Sequence, residues 1–221
     1  MLNSTEKILN SSLKGHVIRD LDLANLFQGT PARRYGLVNK AIKQCELLPL
    51  RRGLYVLSPK YQTESLSLYY LANHIVPFSF VTAESALQFH QWIPERVEQV
   101  TSMAAFSRNK QFDNAFGQFI YQKSPLATDN FWTGVMQINI ASRAVLMASP
   151  LRALSDYVYW HKINHADILF IHKGLRIETD VLNQISQAMI EELLIVYPSK
   201  SVRSFLKNLL SWKMNHESSH H

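Results

Sequence analysis

The segment from Thr30 to Leu57 constrains this chain more than any other. Thr30-Pro31 reads as a helix start. The threonine hydroxyl can accept from an amide that the helix leaves without a partner, and a proline in first position gives up no needed hydrogen bond. Steps of 100° along the helix gather Val38, Ala41, Ile42 and Cys45 on one side, flanked by Leu37 and Tyr35. The opposite side collects Arg33, Gly36, Asn39, Lys40 and Lys43. Arg34 falls nearer the apolar side, but in the first turn a long side chain can swing outward. Gly36 costs about 1 kcal/mol of helix stability relative to alanine, and it lets another surface come close. Two short strands are expected next, Leu48-Pro49-Leu50 and Leu54-Tyr55-Val56-Leu57, joined at Arg51-Arg52-Gly53. Gly53 supplies the positive φ of a tight hairpin, and Pro49 marks its strand as an edge.

The charge is as uneven as the pattern. The chain carries 23 basic and 17 acidic residues, a net +6. Residues 1–60 hold ten of the basic side chains and four of the acidic ones, so the whole excess lies there. Such asymmetry points to a module that binds a polyanion, joined to a neutral one. A short helix ending near Phe27, a turn at Gly29, a basic helix and a basic-tipped hairpin follow one another within about 40 residues, the order of a winged helix-turn-helix. In that arrangement the basic helix lies in the major groove and the hairpin touches the flanking backbone.

A first helix is expected over Glu6–Lys14, a short extended segment at Val17-Ile18, and Asp20 or Asp22 as the cap of the helix that reaches Phe27. A boundary near Pro59–Thr63 divides the chain into domains 1–60 and 61–221. The second begins with a helix in Ser65–Val76 and another capped by Thr82, with Glu84 in its first turn. Strands are expected over Val97–Ala104, Gly117–Gln122, Thr133–Ile140 and Ala144–Ala148. Ser149-Pro150 repeats the cap-and-proline start and opens a helix with Leu151, Leu154 and Val158 inward. One or two helices follow in Glu178–Tyr197, and an amphipathic helix places Val202, Phe205, Leu206, Leu209 and Trp212 on one stripe. The closing residues 216–221 are expected to be disordered. The fold class is therefore α+β: an N-terminal winged helix-turn-helix, then a mixed α/β domain with a small, mainly antiparallel sheet and C-terminal helices.

Patterns that carry chemistry are missing. The seven glycines form no phosphate-binding loop, and no G-x-S-x-G, H-E-x-x-H or C-x-x-C occurs. His161 and His165 have a spacing that suits a metal on a helix, but only Asp156 and Asp167 stand near, and ordinary surface or half-buried histidines are the simpler reading. No cofactor, metal or catalytic residue is expected, and the chain reads as a non-enzyme. The lone cysteine, Cys45, forms no internal disulfide; it is expected to be a small core residue in a reducing, cytoplasmic setting. Met1–Asn10 lacks the apolar middle of a secretory signal, and no apolar run is long enough to cross a membrane.

Two stretches, "LRRGLYVLSP" and the run from "FVTAESALQFHQWIPE" to "MASPLRALSDYVYW", together resemble the AbiEi family of antitoxins from bacterial abortive-infection toxin–antitoxin operons. One is "LRRGLYVLSP", similar to the Arg-Gly-Leu-Tyr closing of that family's wing. The other is "FVTAESALQFHQWIPE" followed by "VTSM", "GQFIYQKSP" and "MASPLRALSDYVYW". The resemblance spans roughly residues 10–165. It implies an N-terminal domain that binds inverted repeats in its own promoter, double-stranded DNA, and represses the operon. It also implies a second domain that counters a nucleotidyltransferase-like toxin. Arg33, Asn39, Lys40 and Lys43 would then face the groove, with Arg33 and Asn39 best suited to base edges, Arg34 also among the DNA-binding residues, and Thr30 capping the helix while its amide donates to a phosphate. Arg51 and Arg52 would grip phosphates, and Tyr55 would pack behind them or touch the backbone. The alternative is a winged-helix regulator without a toxin, whose second domain senses a ligand or mediates oligomerisation. A two-domain monomer that pairs on inverted repeats is expected, since a palindromic site matches paired modules.

Overall fold

The computed structural model describes residues 1–105, 108–164 and 166–218, and has a mixed α+β architecture with a small antiparallel sheet and a larger mixed one. It opens with α1 (Asn3–Leu9), β1 (Ile18–Arg19), α2 (Asp20–Leu26), α3 (Pro31–Lys43), β2 (Leu47–Arg51) and β3 (Leu54–Leu57). α1 starts earlier and stops sooner than its sequence suggests. Neither Asp20 nor Asp22 is the cap of α2; Arg19 holds that position. Asp22 lies three residues on, where its carboxylate accepts the Arg19 amide at 2.8 Å and pairs with the Arg19 guanidinium. The aspartate thus caps from inside the helix, the reciprocal half of a capping box.

α3 begins as expected, with the Thr30 hydroxyl accepting from the Arg33 amide at 3.3 Å and Pro31 in first position. Its end differs. Cys45 is exposed, not a core residue. The Cys45 amide donates to the Ile42 carbonyl and the Glu46 amide to that of Ala41, both at 2.9 Å, while Cys45 itself sits at φ +51. This is a Schellman ending, in which the residue past the cap turns left-handed and leaves the helical projection. Projection at 100° per residue therefore stops applying before Cys45.

β1, β3 and β2 pair antiparallel in that order, so Pro49 lies on an edge strand, beside an irregularity in the register. β3 is apolar throughout because both of its faces are covered. Leu57 joins Ile8, Ile18, Leu23, Phe27, Val38, Ala41 and Leu47 in a first core, with Tyr55 packed against it. Leu54 and Val56 join Val17 and Leu50 in a second core that runs through the rest of the chain.

That remainder contains α4 (Leu68–Ile75), β4 (Ser79–Val81), α5 (Ala83–Phe89), β5 (Gln99–Ala104), β6 (Lys110–Asn114), β7 (Gly117–Lys123), β8 (Val135–Ile140), β9 (Arg143–Ala148), α6 (Pro150–Trp160), α7 (Thr179–Asn183), α8 (Gln187–Val196) and α9 (Lys200–Ser218). Its sheet is larger and more mixed than expected: six strands in the order β6-β7-β5-β4-β9-β8, with β5/β7 and β4/β9 parallel. β4 and β6 are the strands sequence reading missed. β4 is only three residues long and wholly buried, and β6 is a mostly polar edge, so neither shows the alternation that identifies a half-buried strand.

α6 is capped as expected by Ser149. Thr82 stands at the cap of α5, but its hydroxyl donates to Asp156 Oδ2 at 2.6 Å instead of capping. Asp156 and Arg152, one turn apart on α6, form a fully buried ion pair at 3.0 Å, completed by the Tyr197 hydroxyl on Asp156 and by the Phe131 and Thr133 carbonyls on Arg152. This cluster ties α5, α6 and the segment after α8 together around one carboxylate. Val202, Phe205, Leu206 and Leu209 of α9 are buried as the stripe predicts, with Trp212 half-buried. α9 continues through Ser218, so helix replaces the expected disorder over residues 216–218. No helix among the described residues is long and apolar enough to cross a membrane.

Candidate nucleic-acid interface

α2 and α3 are joined by the four residues Phe27–Thr30, with Gly29 at φ +110. The joint leaves the outer side of α3 uncovered. Arg33, Lys40 and Lys43 are exposed there, Asn39 is half-exposed, and an added Cβ at Gly36 would meet nothing within 4 Å. Among the described residues, Arg33, Arg34, Lys40, Lys43 and Arg52 enter no ion pair, so their charge is unneutralised by the protein.

The N-terminal half of α3 meets the β2–β3 turn. Arg34, Tyr35, Arg52 and Tyr55 line one shared groove of about 430 Å³ with Asp20 and Val38. Tyr35, expected beside the apolar stripe, is instead 70 % exposed. Its side chain lines the groove with those of Arg34, Arg52 and Asp20, a grouping that projection alone did not assemble. Lys7 of α1 shares a second depression with Arg33, so α1 adds a basic side chain that sequence reading had not placed near α3. Its only signal was its charge.

The hairpin tip is held rigidly. The Asp20 amide donates to the Gly53 carbonyl at 3.1 Å, and Gly53 adopts φ +75. A side chain there would strain the backbone and bring Cβ to 3.2 Å from Asp20 Oδ2. The Tyr55 hydroxyl lies beside the same carboxylate; burial first, then the Asp20 charge, raises its pKa above the ordinary tyrosine value and keeps it a neutral donor.

Arg51 and Arg52 part company. Arg52 is exposed. Arg51 is half-buried; its Nε donates to the Ile75 carbonyl at the end of α4 at 2.7 Å, and its Nη1 to the Arg52 carbonyl at 3.1 Å. The guanidinium expected on a phosphate thus engages the body of the protein and steadies the turn from behind. Asn114 of β6 adds a bond to the Leu50 carbonyl at 3.1 Å, and Arg143 one to the Gly15 carbonyl at 3.1 Å. The hairpin is therefore fastened to the larger sheet and is no free finger.

Elsewhere, His161 contacts Glu84, which raises the histidine pKa. His165 lies outside the described residues. No group of three or more metal-ligating side chains occurs among the described residues. A scan against models of protein families gives no match, and a search of curated proteins gives none either.

Proposed function

We propose that this chain is a DNA-binding transcriptional repressor of the AbiEi antitoxin type. In this reading residues 1–60 are a winged helix-turn-helix, α3 is the recognition helix and the β2–β3 turn is the wing. The observation that carries it is the junction of the capped, basic, uncovered face of α3 with the Arg34–Tyr35–Arg52–Tyr55 groove. Cations without partners on a helix and an adjoining turn match a groove flanked by phosphates. The antitoxin role and the cytoplasmic setting rest on the AbiEi resemblance and on the lone cysteine.

The test is fluorescence anisotropy of the full chain with the DNA upstream of its own gene, across a salt series. Arg52→Ala is expected to weaken binding to all sequences alike and lower the salt slope by about one. Arg33→Ala is expected to cost about 1–3 kcal/mol on the operator and relax its specificity. A chain that forms no specific complex with that DNA overturns the reading. Growth rescue on co-expression with a neighbouring nucleotidyltransferase-like gene tests the antitoxin half.

One observation favours the alternative of a ligand-sensing regulator. A cleft of about 850 Å³ between the N-terminal helices and the larger sheet is lined by Tyr70, Phe78 and Trp132. The absence of a toxin-like gene beside this one, with operator binding retained, would select it.

A further inference from the structure

We propose that β8 is the edge through which two copies of this chain pair into a homodimer. The larger sheet ends in β6 on one side and β8 on the other. β6 carries Lys110 and Asp113, and Asn114 fastens it against β2. Charge and coverage are the ordinary means by which a sheet edge is kept from pairing. β8 has neither. From Thr133 to Ser142 there is no charged residue and no proline, and β9 is the one described element against which β8 packs extensively.

The hairpin geometry shows which groups face out. Ala141 and Ser142 connect β8 to β9 at φ +47 and +61, the two positive angles of a type I′ turn. The residues flanking such a turn, Ile140 and Arg143, exchange their backbone hydrogen bonds. Ile140, Ile138 and Met136 therefore address β9, and Gln137 and Asn139 turn their N–H and C=O groups outward, while the Val135 amide donates to the Trp132 carbonyl at 3.0 Å.

The strand complements itself. Antiparallel pairing about a twofold axis at Ile138 sets Ile138 on its twin and Met136 on Ile140, all on one face. It sets Gln137 against Asn139 on the other, amide to amide. Exposed apolar surface lies on both faces beside the edge: Met136, 41 % exposed, on the first, and on the Gln137 face its cross-strand neighbour Leu146, which lines a cleft with Phe78 and Trp132, themselves 71 % and 43 % exposed. A six-residue strand alone falls short of the roughly 1,200 Å² that a specific interface buries, so this aromatic surface belongs to the contact.

The inference does not rest on the DNA reading, because the mass of the free protein decides it. Light scattering on the DNA-free chain, over a concentration range, is expected to give twice the 25.5 kDa of one chain. Gln137→Pro removes an N–H that faces away from β9, so it is expected to give the single-chain mass with an unchanged circular dichroism spectrum. Gln137→Lys/Asn139→Lys sets lysines opposite one another and is expected to be monomeric too. Mixing it with Gln137→Glu/Asn139→Glu is expected to restore the dimer, which a folding defect would not do. A wild-type chain that stays monomeric throughout overturns the proposal, as does a dimer that survives both the proline and the lysine substitutions. A mixture that fails to re-form a dimer overturns the register.

Discussion

Single side chains here often serve a partner other than the one their position in the sequence suggests. Glu46 is 4 % exposed, although it follows a helix end that reads as surface. Its Oε2 accepts the Leu2 amide at 2.9 Å. The Thr5 hydroxyl, set against the carboxylate outside strict hydrogen-bond geometry, contributes most to lowering the Glu46 pKa from 4.5 to about 2. A depressed carboxyl pKa stabilises the fold above the unfolded value, and that contribution fades as pH falls from about 4.5 through about 2. Urea melts at pH 7 are expected to show Glu46→Gln less stable by roughly 1–3 kcal/mol, with the difference shrinking at pH 3. Equal losses at both pH values would refute the role given to the charge. Arg152 and Asp156 make the same point more strongly. A four-residue spacing on an amphipathic helix suggests a surface pair, and only the closure of α5 and the C-terminal helices over α6 makes it a buried one.

At the scale of elements, the start of α3 and the β2–β3 hairpin were legible because their signals are local. A cap, a proline, a turn glycine and an edge proline act within a few residues of themselves. The end of α3 was less legible, because Cys45 stands in the left-handed position usually taken by glycine. The β8–β9 turn escaped notice for the same reason: alanine and serine occupy positions that favour glycine and asparagine. Gly36 provides an element-level test. With nothing within 4 Å of an added Cβ, Gly36→Ala is expected to raise stability by up to about 1 kcal/mol. If α3 enters a groove as proposed, the same substitution weakens operator binding while the melting temperature rises. Tighter or unchanged binding would remove Gly36 from the interface.

At the scale of the whole molecule, the two cores meet through β3, and this changes what the hairpin can be. Its inner face is covered by the larger sheet, and Arg51 helps to hold it there. Arg51→Ala is therefore expected to lower the melting temperature and to weaken DNA binding through a loosened turn, without the unit drop in salt slope expected of Arg52→Ala. A salt slope that falls equally in both variants would put Arg51 on the phosphates after all. The proposed dimer extends the same logic. β8 spans about 20 Å, and the Arg143 end of its hairpin bonds to Gly15 in the N-terminal part. Antiparallel pairing would send the two N-terminal parts to opposite ends of the joint.

By itself the sequence determined the helix starts at Thr30 and Ser149, the tip at Gly53, the positive N-terminal quarter and the apolar stripe of α9, since each follows from short-range sterics, capping or periodicity. Tertiary structure alone decided that Arg51 turns inward while Arg52 stays exposed, that Tyr35 and Arg34 share a groove with the hairpin, that Thr82 serves Asp156 and not its own helix, and that β6 and β8 are the end strands of the larger sheet. These depend on which surfaces meet across long separations in the chain. Local propensity carries no record of the neighbour that will desolvate a guanidinium or leave a backbone amide facing water.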